Sequence, residues 1–586
     1  MSATHLAGGR SLMSAKGVGV VYDLLIKNGR IIDGSGMPSF NGDVGVKDGR
    51  IVEIGKLAGP ATKTIDAGGL VVSPGFIDNH CHFDAQVSWD PLCTFSPYHG
   101  VTTVVFGNCS LSLAPVRPGD EEILLQMLSR VEAIPLDILK ANAKWSWNTT
   151  AEYLRALDGN LGVNVGSLMG HSAIRRYVMG EPSQERVVAT EDEMEAMKQA
   201  VRDGLAAGAL GISYGRNPRH FDERGKPVPA AIAPAEELYE LASVLGEMGT
   251  GVIQSGSSEM LELEEGYCSK LSEISGRPVV YNQIVHRYSA PDRWKDHIAH
   301  LERMGKQGLR AHPVINPRST RVRFTMKNAQ LFDGLPTWRP IMAAPHEEKI
   351  VAFRDPEVRK QMHIEGIQGV GISDENWSRR WDKMVVAETS LEKNRSLIGK
   401  SVEEFANEQG MDILDAFLDL VLEEDLETAF DITQVGGDVE AMAEMLRNPY
   451  TVIGLSDSGA HLVFNANYGY CTLFLSLWVR ERGIMSLEEA VRKLTFMQAS
   501  LLGMPDRGLL RPGFAADIVI FDPDTVAPLP QELVSDLPGG ASRIQELATG
   551  IQCTVVNGEV LIENGKHTGA LPGQVIRNNY AQANGY

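Results

Sequence analysis

The sequence predicts an α/β protein: a large parallel sheet, barrel or doubly wound, beside a small β domain closed by both chain ends. Three observations carry this. Short apolar strands alternate with helical stretches through the middle. β-Branched runs punctuated by Asn-Gly or Asp-Gly recur at the two ends. And 586 residues leave room for one large domain plus a smaller one.

The N-terminal β region runs from Tyr22 to Leu70. Leu24-Leu25-Ile26 and Arg30-Ile31-Ile32 flank Asn28-Gly29, and Val44-Gly45-Val46 and Ile51-Val52-Glu53-Ile54 flank Asp48-Gly49. Both dipeptides predict tight hairpin turns. Near the other end, Asp517–Phe521 and Thr554-Val555-Val556 are followed by Asn557-Gly558 and Val560-Leu561-Ile562. In the middle, Thr190-x-x-Glu193 is a capping box opening a helix with Met194, Met197, Val201 and Leu205 on one face, ended by Gly208. A strand over Ala209–Ser213 follows. The next helix carries Leu238, Leu241 and Leu245, stops at Gly249 and leads into Gly251-Val252-Ile253; another closes at Gly276 before Pro278–Tyr281. Ser486-x-x-Glu489 opens a further helix with Val491, Leu494 and Met497. Such βα units imply a parallel sheet. The central region exceeds the ~250 residues of a (β/α)₈ barrel, so it needs an insertion, and the charge-rich, helically patterned stretch at about 318–450 is the candidate. No period of repeat length recurs.

Composition excludes several classes. The 55 basic and 75 acidic side chains give a net charge of −20, which argues against nucleic acid or anionic membrane as a partner. No apolar run reaches the ~18–20 residues of a membrane span, and the first 22 residues read as a loose tail without the apolar core of an export signal. Six cysteines in so long a chain do not make a disulfide framework, so a cytoplasmic location and a small-molecule substrate are expected.

The chemistry-bearing residues sit where strands end. In Pro74-Gly75-Phe76-Ile77-Asp78-Asn79-His80-Cys81-His82, alternation along an extended chain turns both imidazoles to one side. Such a pair suits a borderline divalent metal such as Zn²⁺; satisfaction by backbone carbonyls is the equal alternative. Cys109 follows Val104-Val105-Phe106-Gly107-Asn108 and offers a thiolate ligand, or a small buried apolar side chain. Asp457, in Ile453-Gly454-Leu455-Ser456-Asp457-Ser458-Gly459, suits a metal ligand and proton carrier, or an Asx turn. His171, His286 and His312 each follow a short apolar strand and are candidates for the same mouth, though a core or surface role is the simpler account. Arg216, Arg219 and His220 form a basic loop able to hold a carboxylate, or solvated surface charge.

These motifs, in this order, resemble the amidohydrolase superfamily and within it the N-acyl-D-amino-acid deacylase (D-aminoacylase) branch. The likeness runs from about Asp23 to Gly550 and includes Gly100–Val105, Gly170-His171, Gly208–Ser213, Gly399–Glu404, Ser486–Val491, Asp506-Arg507-Gly508 and Gly513–Asp517. It implies a (β/α)₈ TIM barrel over 75–503 with a helical insertion before the last strand. It also implies a β-sandwich built from 23–74 and 504–586, beyond a tail at 1–22. By the same resemblance His80, His82, Cys109 and Asp457 are metal ligands, Cys109 in the place of a bridging carboxylated lysine, and Asp457 is also the general base and acid. The implied reaction is metal-assisted hydrolysis of the C–N bond of an N-acyl amino acid or related amide. Hydrolysis of a cyclic amide, imide or lactone is the neighbouring reading, and a non-catalytic scaffold the distant one. Superfamily members are often oligomeric, so self-association into a homo-oligomer is an expectation.

One departure stands out. The branch carries metal-binding histidines after the fifth and sixth strands, where this chain reads Val252-Ile253-Gln254-Ser255 and Val280-Tyr281-Asn282-Gln283-Ile284-Val285-His286. One divalent ion rather than two is therefore expected, with Gln283 and His286 as nearby candidates for substrate or ligand support.

Overall fold

The computed structural model describes residues 21–584 apart from 219, 257–258, 289, 328, 333, 370–376 and 464–466. Most of the tail assigned to 1–22 lies outside these residues, as does Arg219.

The chain begins with five strands, β1 (Tyr22–Ile31), β2 (Phe40–Lys47), β3 (Arg50–Gly55), β4 (Ala61–Asp66) and β5 (Val71–Pro74). They join β17 (Ile518–Phe521) and the late strands Ile551–Val556, Glu559–Glu563 and Lys566–His567 in one nine-stranded sheet, with β5 pairing β17 across the two chain ends. Asp48-Gly49 and Asn557-Gly558 form the expected two-residue turns, all four residues at positive φ. Asn28-Gly29 does not. β1 runs straight through it, and the dipeptide is a bulge at which the pairing with β2 shifts register. The Asn28 amide donates to Asp43 Oδ1 (2.8 Å), so a side chain across the sheet satisfies the backbone group that a hairpin would have turned inward.

The central sheet has eight parallel strands: β6 (Phe76–Asp78), β7 (Val101–Phe106), β8 (Asn164–Gly170), β9 (Gly211–Gly215), β10 (Val252–Gly256), β11 (Val279–Tyr281), β12 (Ala311–Ile315) and β16 (Val452–Ile453), paired in the order β16-β12-β11-β10-β9-β8-β7-β6. It curls. Ile77, Val105, Leu168, Val252, Val280, Val314 and Val452, with Leu210 at the entry to β9, form one buried cluster with Met497, Leu502 and Ile576. One residue per strand can meet in one cluster only if the sheet wraps around them. Helices form where expected: Glu191–Ala207 has the complete Thr190/Glu193 capping box and ends at Gly208 with φ +112°. The helix from Ser486 instead stops at Leu494, and Phe496–Leu502 is a separate helix, because Thr495 leaves helical geometry.

Between β12 and β16 the chain makes a segment with its own core, including Phe332, Trp338, Trp377, Trp381, Phe417 and Phe430. The helices expected there are present, and the segment also carries strands. Strands β13 (Thr320–Thr325), β14 (Met384–Glu388) and β15 (Ala429–Val435) form an antiparallel sheet in the order β13-β15-β14, around which the helices pack. Among the described residues no helix is long and apolar enough to cross a membrane.

The terminal sheet is tied to the curled sheet by a buried polar knot. Asp517 accepts from Arg507 Nη1, from Asn164 Nδ2 (2.9 Å) at the start of β8 and from the Asn557 amide (2.8 Å). Arg507 and Asp517 side chains are each 6% exposed, so removing one partner strands a buried charge. Asp517→Ala is expected to cost about 3–5 kcal/mol, read as a lower urea midpoint. An unchanged midpoint would show that the knot adds no net stability.

Candidate metal centre

The centre forms where β6, β7 and β16 end. After β6 the chain is pinned on both sides: the Cys81 amide donates to Val105 O (3.3 Å), and the His82 amide to Ser458 O (2.7 Å). In return the Asp457 amide donates to His80 O (3.2 Å). Ser456 Oγ donates to Asp78 Oδ2 (2.5 Å), a carboxyl pushed up to about 7 chiefly by burial. After β7, Gly107 (φ +82°) turns the chain so closely over β8 that a Cβ there would lie 2.2 Å from Leu168 O. Asn108 Nδ2 then donates to Cys81 O (3.0 Å) and Val105 O (2.9 Å), and Cys109, at φ +55°, is aimed inward.

These constraints gather four sequence-predicted residues. The donor atoms of His80, His82 and Cys109 lie within 4.8 Å of one another. Cys109 Sγ is 3.5 Å from His80 Nε2, and Asp457 Oδ1 is 3.4 Å from His80 Nε2 and 3.7 Å from His82 Nε2. A tetrahedral zinc with bonds of about 2.1 Å separates its ligand atoms by roughly 3.4 Å. The two histidines are 1% exposed and the Asp457 side chain 24%. Among the described residues neither ring nitrogen of His82 has a hydrogen-bond partner, an expensive state for a buried imidazole unless something else binds it. The residues present therefore fit a divalent cation.

Electrostatics agree. Burial holds His80 down at about 3, with Asp457 opposing, so its ring is neutral and free to ligate. Burial also disfavours a charge on His82, but Glu132, Asp457 and Cys109 together raise it well above the ordinary imidazole range. Burial pushes the Cys109 thiol up to about 11 against the pull of His82; a coordinated cation would deprotonate it. Asp457 is held low by His82 and His80 in spite of burial.

The other predicted residues lie elsewhere. His171 starts the helix His171–Met179, and its Nε2 meets Glu237 Oε1 at 2.7 Å, beside Arg175 Nε at 3.0 Å from the same oxygen. That is a buried ion cluster in the wall. His312 was expected past a strand at the mouth; it is instead the second residue of β12, its Nδ1 2.9 Å from Tyr450 O in the turn that enters β16. That turn is at the end of the sheet opposite the metal donors. The His286 ring packs edge-on against Tyr288 (5.1 Å), towards the insertion. Arg216 lies 5.9 Å over the Tyr267 ring. Gln283 is partly buried just after β11; the amide that turns to the centre is its neighbour, Asn282.

Three contributors escaped sequence reasoning. Gln254, 2% exposed, accepts from the Cys109 amide (3.1 Å), and its Nε2 approaches His80 Nδ1 and Asn282 Oδ1 (each 3.4 Å). Asn282 completes that pair. Glu132, the last residue of the helix Glu121–Glu132, has Oε2 3.5 Å from His82 Nε2. Leu124, Leu128 and Glu132 follow one another at four-residue intervals, so a carboxylate on the apolar face of an amphipathic helix was the available signal.

Residues 63–562 match the amidohydrolase family model. The chain belongs to the amidohydrolase family. Residues 6–76 also match the model of the urease alpha-subunit N-terminal domain. Over 594 residues the chain is 30% identical to an uncharacterised protein of Mycobacterium tuberculosis, covering 94% of this chain and 93% of that one. It is 29% identical to the D-aminoacylase of Alcaligenes xylosoxydans xylosoxydans, with coverage of 95% and 97%. Among solved structures, D-aminoacylase superposes with a TM-score of 0.64 at 27% identity, covering 95% of this chain and 100% of that one. The N-acyl-D-glutamate deacylase of Bordetella bronchiseptica, complexed with zinc and a phosphonate inhibitor, gives 0.64 at 25% identity and the same coverage.

Within this amidohydrolase, Gln254 orients two of the four donors. Gln254→Ala is expected to weaken divalent metal binding about 10–100-fold, measured by competition with a chromophoric chelator. Wild-type affinity in that variant would show that the amide orients nothing.

Proposed function

We propose that this amidohydrolase hydrolyses the amide C–N bond of an N-acyl amino acid or related small amide, using one divalent ion held by His80, His82, Cys109 and Asp457. The curled sheet is read as a closed (β/α)₈ barrel over 75–503 with its insertion at about 318–450, and the terminal sheet as the β-sandwich formed by 23–74 and 504–586. The observation that carries the reading is Asp457: its Oδ1 lies within 3.7 Å of both histidine Nε2 atoms while its side chain stays 24% exposed. It is thus both inside the donor set and open to incoming substrate.

When bound, a divalent ion supplies Lewis-acid polarisation of an amide carbonyl and acidifies water. The rest is the work of this chain's residues. Asp457 takes a proton from the attacking water and delivers it to the departing amine nitrogen, leaving the carboxylic acid and the free amine. Neutral His80 keeps its lone pair for ligation, oriented from behind by Gln254. Gln254 and Asn282 support a single-ion centre, because neutral amides engaged with Cys109, His80 and each other stand where the branch carries two histidines.

The test is metal analysis of the purified protein together with a hydrolysis screen of N-acyl-D- and N-acyl-L-amino acids, hydantoins and lactones. About one ion per chain and amide hydrolysis are expected. Asp457→Asn should lower kcat about 10²–10⁴-fold. Absence of bound metal, with activity indifferent to chelators, would refute the reading; turnover of ring substrates alone would move it to the cyclic-amide or lactone alternative.

A further inference from the structure

Glu132 is a carboxylate in a costly position that the four-ligand centre does not explain. It is 3% exposed. Among the described residues its carboxylate accepts no hydrogen bond; its polar neighbours are His82 Nε2 at 3.5 Å and His461 Nε2 at 3.8 Å. It also ends a helix of twelve residues, where the negative end of the helix dipole disfavours an anion. Burial, missing donors and dipole all oppose a charge here. A retained carboxylate under those conditions needs a cation.

The direction of approach narrows its role. A carboxylate that merely orients a metal-binding histidine bonds the ring nitrogen facing away from the metal. Glu132 instead approaches Nε2 of His82, the nitrogen that Asp457 Oδ1 also approaches (3.7 Å). The two carboxylates therefore face the same nitrogen of a ring that lacks hydrogen-bond partners among the described residues. The loop after β16 fixes this arrangement from both ends: it carries Asp457, and four residues on the His461 amide donates to Glu132 O (2.7 Å).

We infer that Glu132 is a further ligand of the same cation, so that the helix Glu121–Glu132 supplies a donor in place of those absent from the fifth and sixth strands. The inference rests on the metal-dependent reading above. The centre then has two imidazoles, two carboxylates and a thiolate, drawn from the ends of β6, β7 and β16 and from this helix.

The test compares wild type, Glu132→Gln and, as a control on the same helix, the exposed Glu122→Gln. Each is stripped of metal and titrated with Zn²⁺ against a chromophoric chelator, and with Co²⁺ while its visible absorption is recorded. Glu132→Gln is expected to weaken Zn²⁺ binding at least 10-fold and to change the Co²⁺ band positions, with Glu122→Gln like wild type. Unchanged affinity, or weakened affinity with an unchanged Co²⁺ spectrum, overturns the assignment while the metal-dependent reading stands. A wild-type protein that binds no metal overturns both. Should Glu132→Gln fail to fold, X-ray absorption of the wild-type zinc protein decides: five light-atom and sulfur ligands including two carboxylates support the inference, and one carboxylate overturns it.

Discussion

The whole centre depends on one lacing of the chain: the segment after the first parallel strand bonded to the loop after the last. His82 donates its amide to Ser458 O, Asp457 donates its amide to His80 O, and Ser456 Oγ reaches Asp78. Buried backbone groups have no cheaper way to be satisfied, so the lacing fixes both strands' ends at once. It brings residues more than 370 positions apart in sequence to within a hydrogen bond. Because every donor on these two segments is displaced if the lacing slips, His80, His82 and Asp457 stand or fall as one unit. Cys109 joins them through β7, whose Val105 carbonyl accepts from Cys81.

The electrostatic character of the centre follows from what that lacing encloses. His80 is buried and neutral, while His82 lies among Glu132, Asp457 and Cys109, whose combined field favours positive charge at its ring. The same field is an attraction for any cation that enters. On the far side, Gln254 and Asn282 contribute dipoles without charge. Through Gln254 they engage the Cys109 amide and the His80 ring.

Much of this was legible in the sequence, for reasons that differ residue by residue. His80-x-His82, Cys109 and Asp457 could be read because each directly follows an apolar strand, and parallel strands deliver their C-terminal ends to one face. Asp48-Gly49 and Asn557-Gly558 could be read because two-residue turns are specified locally. Asn28-Gly29 carries the same local signal yet forms a bulge, because Asp43 on the neighbouring strand captures the Asn28 amide, a partner no local window contains. The strands inside the insertion were hidden for a similar reason: their pairing is antiparallel and long-range, β13 with β15 across more than a hundred residues. His312 misled because a histidine within a short strand and one after it look alike until the register is known. Glu132 needed the opposite inference, from a charged residue standing where an apolar one belongs.

The loss of two histidines is therefore better understood as a redistribution of donors than as decay of a site. In the strand order the ends of β16, β6 and β7 are neighbours once the sheet curls, and all four predicted ligands come from them. The β10 and β11 ends, opposite, contribute the uncharged amides of Gln254 and Asn282. A decaying centre would keep its burial and lose its organisation, since nothing would hold unpartnered polar groups in register against their desolvation cost. Here the reverse holds. Gln254 is engaged with the Cys109 amide, His80 and Asn282, while His82 Nε2, without a hydrogen bond among the described residues, has both the Glu132 and the Asp457 carboxylates within 3.7 Å. Unsatisfied groups scattered through a core are defects; unsatisfied groups converging on one point are a binding site.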